Sequence, residues 1–492
     1  MAKSLSILFA TSEVLPFIKI GGISDVSYAY PLAMRDLSHD IRVMAPKYGC
    51  MSERRNRIHE INRLKDFPIP IGKKEELATV KSSSINNPRM KVQAYIATNQ
   101  KYFDSKKGVY DNVKNCKPYD DNDERFIFFS RTVIETCNLL GWYPDIIHVN
   151  DWQTALIPAY ARLMYSSKFK KTKFVFSIHN IFYQGEFPES TFDKTGFSDV
   201  VKDSFIHKKN FNSIKAGLMY SDYITTVSPT YADEIIKDAK YTNGLNSLIS
   251  QNDYKFKGIL NGIDNWGWNP KSDALISKKY LGNFTDYKEQ NKLALLRKIK
   301  FEYNDEVPLI GMVTRLDEQK GLNLFIEAAD KILAENVQLV LLGEGDQSFK
   351  DKLNLLQKKY PKKLALKYGF DDDLAHQIEA GSDMYLLPSI HEPCGLNALY
   401  SLAYGSVPIV HGTGGLKDIV TDYSSDTKTG NGFVFKAYKA NDLIKAVNRA
   451  LALFKSKEEW DSLAHSSMTR DYGWKNSALK YEEIYKNLLK EQ

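Results

Sequence analysis

Short apolar runs, many of them β-branched, alternate with stretches of helical period along nearly the whole chain. The runs at 6–10 (SILFA), 41–46 (IRVMAP), 145–151 (DIIHVND), 173–178 (KFVFSI) and 222–228 (DYITTVS) predict buried strands. Between them, 23–37 and 122–140 carry helical patterns. Strand and helix in alternation predict a mostly parallel sheet with helices on both faces. The pattern stops at 258–273 (GILNGIDNWGWNPKSD), where Gly, Asn, Asp, Pro and Trp crowd together, as expected of a crossover between domains. It restarts with 309–315, 337–343, 364–369, 383–389 and 407–412, again separated by helices. In 322–333, Leu322, Phe325, Ala329, Ile332 and Leu333 share one helical face, a core-facing stripe. Ligands of open α/β sheets bind beyond the carboxyl ends of the strands, so two such domains facing each other predict a substrate in the cleft between them. Residues 51–120 fit less well. They are rich in Lys, Asn and Asp with few strand-like runs, such as 90–97, and the expectation is surface hairpins and a mobile loop that takes in 109–124.

Composition narrows the class. A chain of 492 residues exceeds what one core holds, and two domains of roughly 200–250 residues are expected. The net charge of +7 is small and its lysines are scattered, which argues against a nucleic-acid groove while suiting a phosphate-bearing ligand. Cys50, Cys116, Cys137 and Cys394 form no CxxC pair, and no HExxH occurs, so neither disulfide framework nor zinc site is indicated. The apolar run from Leu5 to Ala10 is too short for a signal-peptide core, and no run reaches the ~18 residues of a membrane span. A cytoplasmic protein is expected, with neither nucleic acid nor membrane as partner.

Four clusters carry candidate chemistry. Lys19, Gly21 and Gly22 lie between the opening strand and a helix, where a backbone can approach a phosphate at a helix N-terminus; a plain tight turn is the alternative. Arg315 and Lys320, at a strand end, suit a pyrophosphate clamp or are two solvated cations. In PSIHEPCGLNAL (388–399) a loop exposes Glu392 ahead of Cys394 and Gly395 at a helix start, where a carboxylate either holds sugar hydroxyls or caps the helix. Thr413, Gly414 and Gly415 repeat the strand–Gly–Gly–helix arrangement as a second anion cradle. In the first half, Asp151 and His179 end adjacent strands. One reads as an N-cap and the other as a structural histidine, or both face a substrate.

Together these strings resemble the bacterial glycogen synthases and plant starch synthases. KIGGISDV, HVNDWQTAL, SIHNIFYQGEF (the family's xxHNxxYQGxF), VTRLDEQKGL, the EPCGL stretch, YGSVPIV and TGGLKD occur in the family's order. The resemblance implies a GT-B fold of two Rossmann-like doubly wound domains, 1–262 and 263–471. It also implies a helix in 472–492 that crosses back onto the first domain. It further implies transfer of glucose to the 4-hydroxyl of an α-1,4-glucan with retained α configuration. The donor would be ADP-glucose, favoured over UDP-glucose, with no metal or cofactor. On matching positions, Lys19, Gly21, Gly22, Arg315 and Lys320 would hold the donor phosphates, and Glu392, Cys394, Gly395 and Asn261 would surround the glucose. Asp151 and His179 would face the transferred sugar. Phe370 would stack on the base where the family often has tyrosine, and Thr413, Gly414 and Gly415 would border ribose and phosphate. The chain departs from the pattern at Ile20, at Ile390-His391 (usually Arg-Phe) and at Ala398 (often glutamine). A retaining enzyme with a small acceptor and a non-catalytic glucan-binding scaffold are the rival readings.

Overall fold

The computed structural model describes residues 4–113 and 117–490; Cys116 lies outside the described residues. Contacts divide the chain into two units. One comprises 1–227, 232–261 and 474–492, the other 228–231 and 262–473.

The sheet of the first unit runs in the order Phe256–Gly258, Tyr223–Thr226, Lys173–Ile178, Ile146–Asn150, Ser6–Ala10, Asp40–Pro46, Lys91–Thr98, Lys74–Asn86, His59–Glu60. The first seven pair in parallel. The side chains of the five from Tyr223–Thr226 to Asp40–Pro46 are almost wholly buried, as the unbroken apolar runs require of a sheet covered on both faces. The helix Gly22–Asp36 returns the chain from the opening strand to its neighbour Asp40–Pro46, and the helix Asn122–Leu140 precedes the strand Ile146–Asn150. The helix Lys475–Lys490 belongs to this unit: the Tyr485 hydroxyl meets His148 Nδ1 at 2.5 Å and also contacts the Tyr30 hydroxyl.

The segment 51–120 is the main departure from expectation. It does form antiparallel hairpins, but these extend the central sheet, because Lys91–Thr98 pairs in parallel with Asp40–Pro46 and Lys74–Asn86 pairs antiparallel beyond it. Ala78, Val80 and Ile85 are its buried positions, and most of the rest are polar.

In the second unit six parallel strands run in the order Leu364–Tyr368, Gln338–Gly345, Leu309–Leu316, Met384–Leu387, Val407–His411, Phe433–Phe435. Counted along the chain this is 3-2-1-4-5-6, the doubly wound order, and the parallel part of the first sheet follows the same scheme with a seventh strand added. Each sheet therefore has one switch point, where the winding reverses and loops part to leave a crevice. The segment leading into the second unit has no regular secondary structure and is anchored by Trp268. The Trp268 ring lies between His376 (3.7 Å between centroids) and Tyr400 (3.8 Å).

Candidate active site

In the second unit the switch lies between Leu309–Leu316 and Met384–Leu387, and both candidate clusters leave the carboxyl ends of these strands. Arg315 stays 42% exposed, its guanidinium 3.0 Å from Asp317 Oδ2 and 3.4 Å from Gln319 Oε1. Asp317 accepts the Lys320 backbone N–H at 2.9 Å and so fixes the turn. Lys320 Nζ then reaches Glu392 Oε2 at 2.7 Å, and Ser389 Oγ donates to the same oxygen at 3.0 Å.

Glu392 is not exposed as the sequence suggested: only 7% of it meets solvent. Its loop is drawn inward by Gln319, whose carbonyl accepts the Ile390 N–H at 2.9 Å and whose side chain donates to the His391 carbonyl at 3.2 Å. Burial pushes the Glu392 carboxyl up. The charge and hydrogen bond of Lys320, with the hydrogen bond from Ser389, outweigh it and hold the group below its ordinary range, so it is ionised at neutral pH. Both contacts fall on Oε2, and Oε1 accepts no hydrogen bond among the described residues.

The glycines beside this loop pack closely against their neighbours. Gly395 sits at φ +89°, and a Cβ on Gly415 would lie 2.1 Å from the Cys394 carbonyl oxygen. The Gly415 N–H is spent on the Glu392 carbonyl at 2.9 Å, and Gly414 precedes the five-residue helix Gly415–Ile419. Thr413 and Cys394 are buried beside them. Phe370 is 75% exposed just beyond the strand Leu364–Tyr368. Both departures nearest Glu392, His391 and Ala398, are buried, so they alter the packing beneath the loop.

In the first unit the switch lies between Ser6–Ala10 and Ile146–Asn150. Asp151 follows the second of these at φ +54°, an uncommon backbone conformation for a residue other than glycine. It does not cap its own helix. Its Oδ1 accepts the N–H groups of His179 (2.7 Å) and Asn180 (3.4 Å), which ties two adjacent strand ends together. Burial pushes the Asp151 carboxyl up and the nearby charge of Glu13 adds to this. The two N–H groups oppose it, and the balance lies at about 7. Burial lowers His179 to about 4, so its ring is neutral at physiological pH. Asn150 donates through Nδ2 to the Ala10 carbonyl, which leaves Oδ1 as acceptor for His179 Nε2 at 2.9 Å. The proton therefore sits on Nε2 and Nδ1 is an acceptor.

Lys19 Nζ lies 3.3 Å from Asp25 Oδ1. A Cβ on Gly21 would meet nothing within 4 Å, so open space borders this loop. Two N–H groups of this loop are already engaged: Glu13 Oε2 accepts from Ile20 (2.8 Å) and Gly21 (3.0 Å), and also from the Ser24 hydroxyl (2.6 Å). Tyr110 donates to the other oxygen of Glu13 at 2.5 Å. Glu13 is thus a fixed anion at the start of the helix Gly22–Asp36, with only 2% exposed. It was missed from the sequence. The available signal was an acid three residues past a strand end with a glycine pair to follow. Asn261 is 5% exposed, and its Oδ1 has no hydrogen-bond partner among the described residues.

Comparison with known proteins decides the family. The family model described as starch synthase catalytic domain matches residues 6–251, and that for glycosyl transferases group 1 matches 297–465. A glycogen synthase of Clostridium novyi strain NT is 40% identical over 491 residues, 99% of each chain. The chain belongs to the glycogen and starch synthase family. Another glycogen synthase, from Chlorobaculum parvum, is 35% identical to this synthase over 489 residues, again 99% of each chain. The catalytic domain of starch synthase IV from Arabidopsis thaliana, solved bound to ADP and acarbose, matches at a TM-score of 0.90 with 29% identity. That match covers 99% of this synthase and 100% of the other chain. Sucrose-phosphate synthase from Thermosynechococcus elongatus (TM-score 0.60, 14% identity) shares the fold alone. This synthase therefore has the GT-B fold and is a hexosyltransferase of glycogen or starch synthesis. Among its described residues no helix is long and apolar enough to cross a membrane.

Proposed function

We propose that this synthase transfers glucose from ADP-glucose to the non-reducing 4-hydroxyl of an α-1,4-glucan, with retention of the α configuration, in the cytoplasm and without a metal ion. The observation that carries the proposal is the pair of buried Glu392 and partly buried Lys320 at the switch point, 2.7 Å apart. It supplies an ionised carboxylate with one uncommitted oxygen and a cation beside it. Oε1 of Glu392 accepts a glucose hydroxyl through a charge-assisted hydrogen bond. Arg315 and Lys320 stabilise the departing diphosphate as the anomeric carbon gains positive character. The acceptor hydroxyl attacks on the face the diphosphate leaves, and its proton passes to that diphosphate. Phe370 offers its exposed ring to the base, with Thr413 to Gly415 behind the Glu392 loop. Lys19, with open space beside Gly21, offers its ammonium to a phosphate. His179 offers Nδ1 to a hydroxyl of the transferred sugar, and the unpartnered Asn261 oxygen does the same. The ADP in the starch synthase IV structure supports the choice of nucleotide. Incubation with glycogen and radiolabelled ADP-glucose or UDP-glucose tests it. Label is expected in polymer from ADP-glucose at least tenfold faster, and equal or reversed rates defeat the assignment of donor.

Asp151 gives the reaction a pH dependence. An ionised carboxylate is the stronger acceptor for the His179 and Asn180 N–H groups, so the turn they begin is firmest above about pH 7. The rate constant kcat/KM is expected to rise through an inflection near 7 that Asp151→Asn removes. Stability runs the other way. A carboxyl raised above its unfolded value of about 3.9 contributes stability below that pH and loses it as pH rises through 7. An inflection that survives in the variant contradicts the assignment.

A further inference from the structure

Phe182 and Phe370 are the exposed phenylalanines among the described residues, at 60% and 75%. Phe370 has a role in the nucleotide site; Phe182 has none so far. It lies beyond the strand Lys173–Ile178, in the turn that Asp151 fixes. The Phe182 N–H donates to Asn180 Oδ1 at 3.1 Å and the Tyr183 N–H to the Asn180 carbonyl at 3.2 Å. On the other side Gln184 is buried, its side chain donating to the Thr242 carbonyl at 2.7 Å. The backbone is therefore held at both ends while the ring projects into water. Tyr183, itself 45% exposed, meets it edge-on with centroids 5.6 Å apart and planes at 86°.

Leaving such a side chain in water forgoes the gain that burial gives an aromatic ring. An apolar pair held rigid and water-facing loses little further conformational freedom when something lies against it. The C–H face of a glucose unit is a flat apolar partner of the right size for one ring, and Tyr183 adds a hydroxyl for a sugar oxygen. Position 182 falls between His179-Asn180 and Tyr183-Gln184-Gly185, where the family pattern HNxxYQG leaves the residue open.

We propose that Phe182, backed by Tyr183, is an acceptor subsite that stacks against a glucose unit of the α-1,4-glucan and raises affinity for longer chains. The proposal rests on the acceptor assigned above, and two measurements separate them. Maltoheptaose titrated calorimetrically onto the full chain and onto Phe182→Ala reads binding without transfer. Its Kd is expected to weaken about fivefold to tenfold, and Phe182→Trp to restore it. In initial-rate assays the KM for maltoheptaose should rise by the same factor while that for the nucleotide-glucose moves less than twofold. An unchanged Kd in Phe182→Ala, or an equal rise in donor KM, overturns the subsite. If the unaltered chain binds maltoheptaose but transfers no glucose, the proposed reaction fails while the subsite stands. Because the ring is exposed, its removal leaves the core intact.

Discussion

Glu392→Gln is expected to lower kcat about 100- to 1,000-fold, the range for removing one preorganised group that meets charge in a transition state, and to change the donor KM by no more than about threefold. The substitution keeps the side chain's size, and the amide oxygen still accepts from Lys320. What it removes is the negative charge next to a sugar ring that becomes electron-poor as the diphosphate leaves. Loss in kcat with little loss in KM is the signature of an interaction made mainly in the transition state. Steady-state kinetics with saturating glycogen reads it. Turnover within threefold of the unaltered chain contradicts the role given to Glu392.

Lys320→Met is expected to destabilise the second unit by about 3–5 kcal/mol, because it leaves a buried carboxylate without its cation. The sign of the pH dependence distinguishes this cause from a packing defect. With Lys320 present, the Glu392 carboxyl lies below its unfolded value of about 4.3, so its stability is present above that pH and is lost as pH falls through the folded value. Without Lys320, burial is opposed only by the Ser389 hydrogen bond and the smaller charge effect of His391, and the carboxyl rises, so the variant recovers stability as pH falls from 7 toward 5. The Tm difference between unaltered chain and variant should therefore shrink at pH 5. A difference independent of pH contradicts a charge origin.

The parts of this molecule legible from sequence were those whose cause is local. Strands such as Lys173–Ile178 are buried on both faces, so their apolar runs are continuous, and the helix Asn122–Leu140 carries its pattern over five turns. The strand Lys74–Asn86 was missed because its few buried positions, Ala78, Val80 and Ile85, keep no single alternation and Ser82, Ser83 and Ser84 lie between them. The candidate site was legible in its residue types and not in its pairings. Nothing near Glu392 in sequence says it is buried, because the groups that draw it inward, Gln319 and Lys320, lie more than seventy positions earlier. Glu13 was overlooked in part for the same reason: its partner Tyr110 lies 97 positions away and reaches it only when the first unit folds. The glycine pairs drew attention as anion cradles. At Ile20 and Gly21 the anion turned out to be the chain's own, and at Gly415 the requirement is a neighbouring carbonyl 2.1 Å from where a Cβ would lie.

The most direct measurement is the structure of the product itself. Maltoheptaose and ADP-glucose labelled with carbon-13 at C1 of the glucose, incubated with the full chain, should give maltooctaose. Its labelled carbon should resonate as an α-1,4-linked anomeric centre at the non-reducing end. A labelled β linkage, label at the reducing end, or label found only as free glucose would contradict the account.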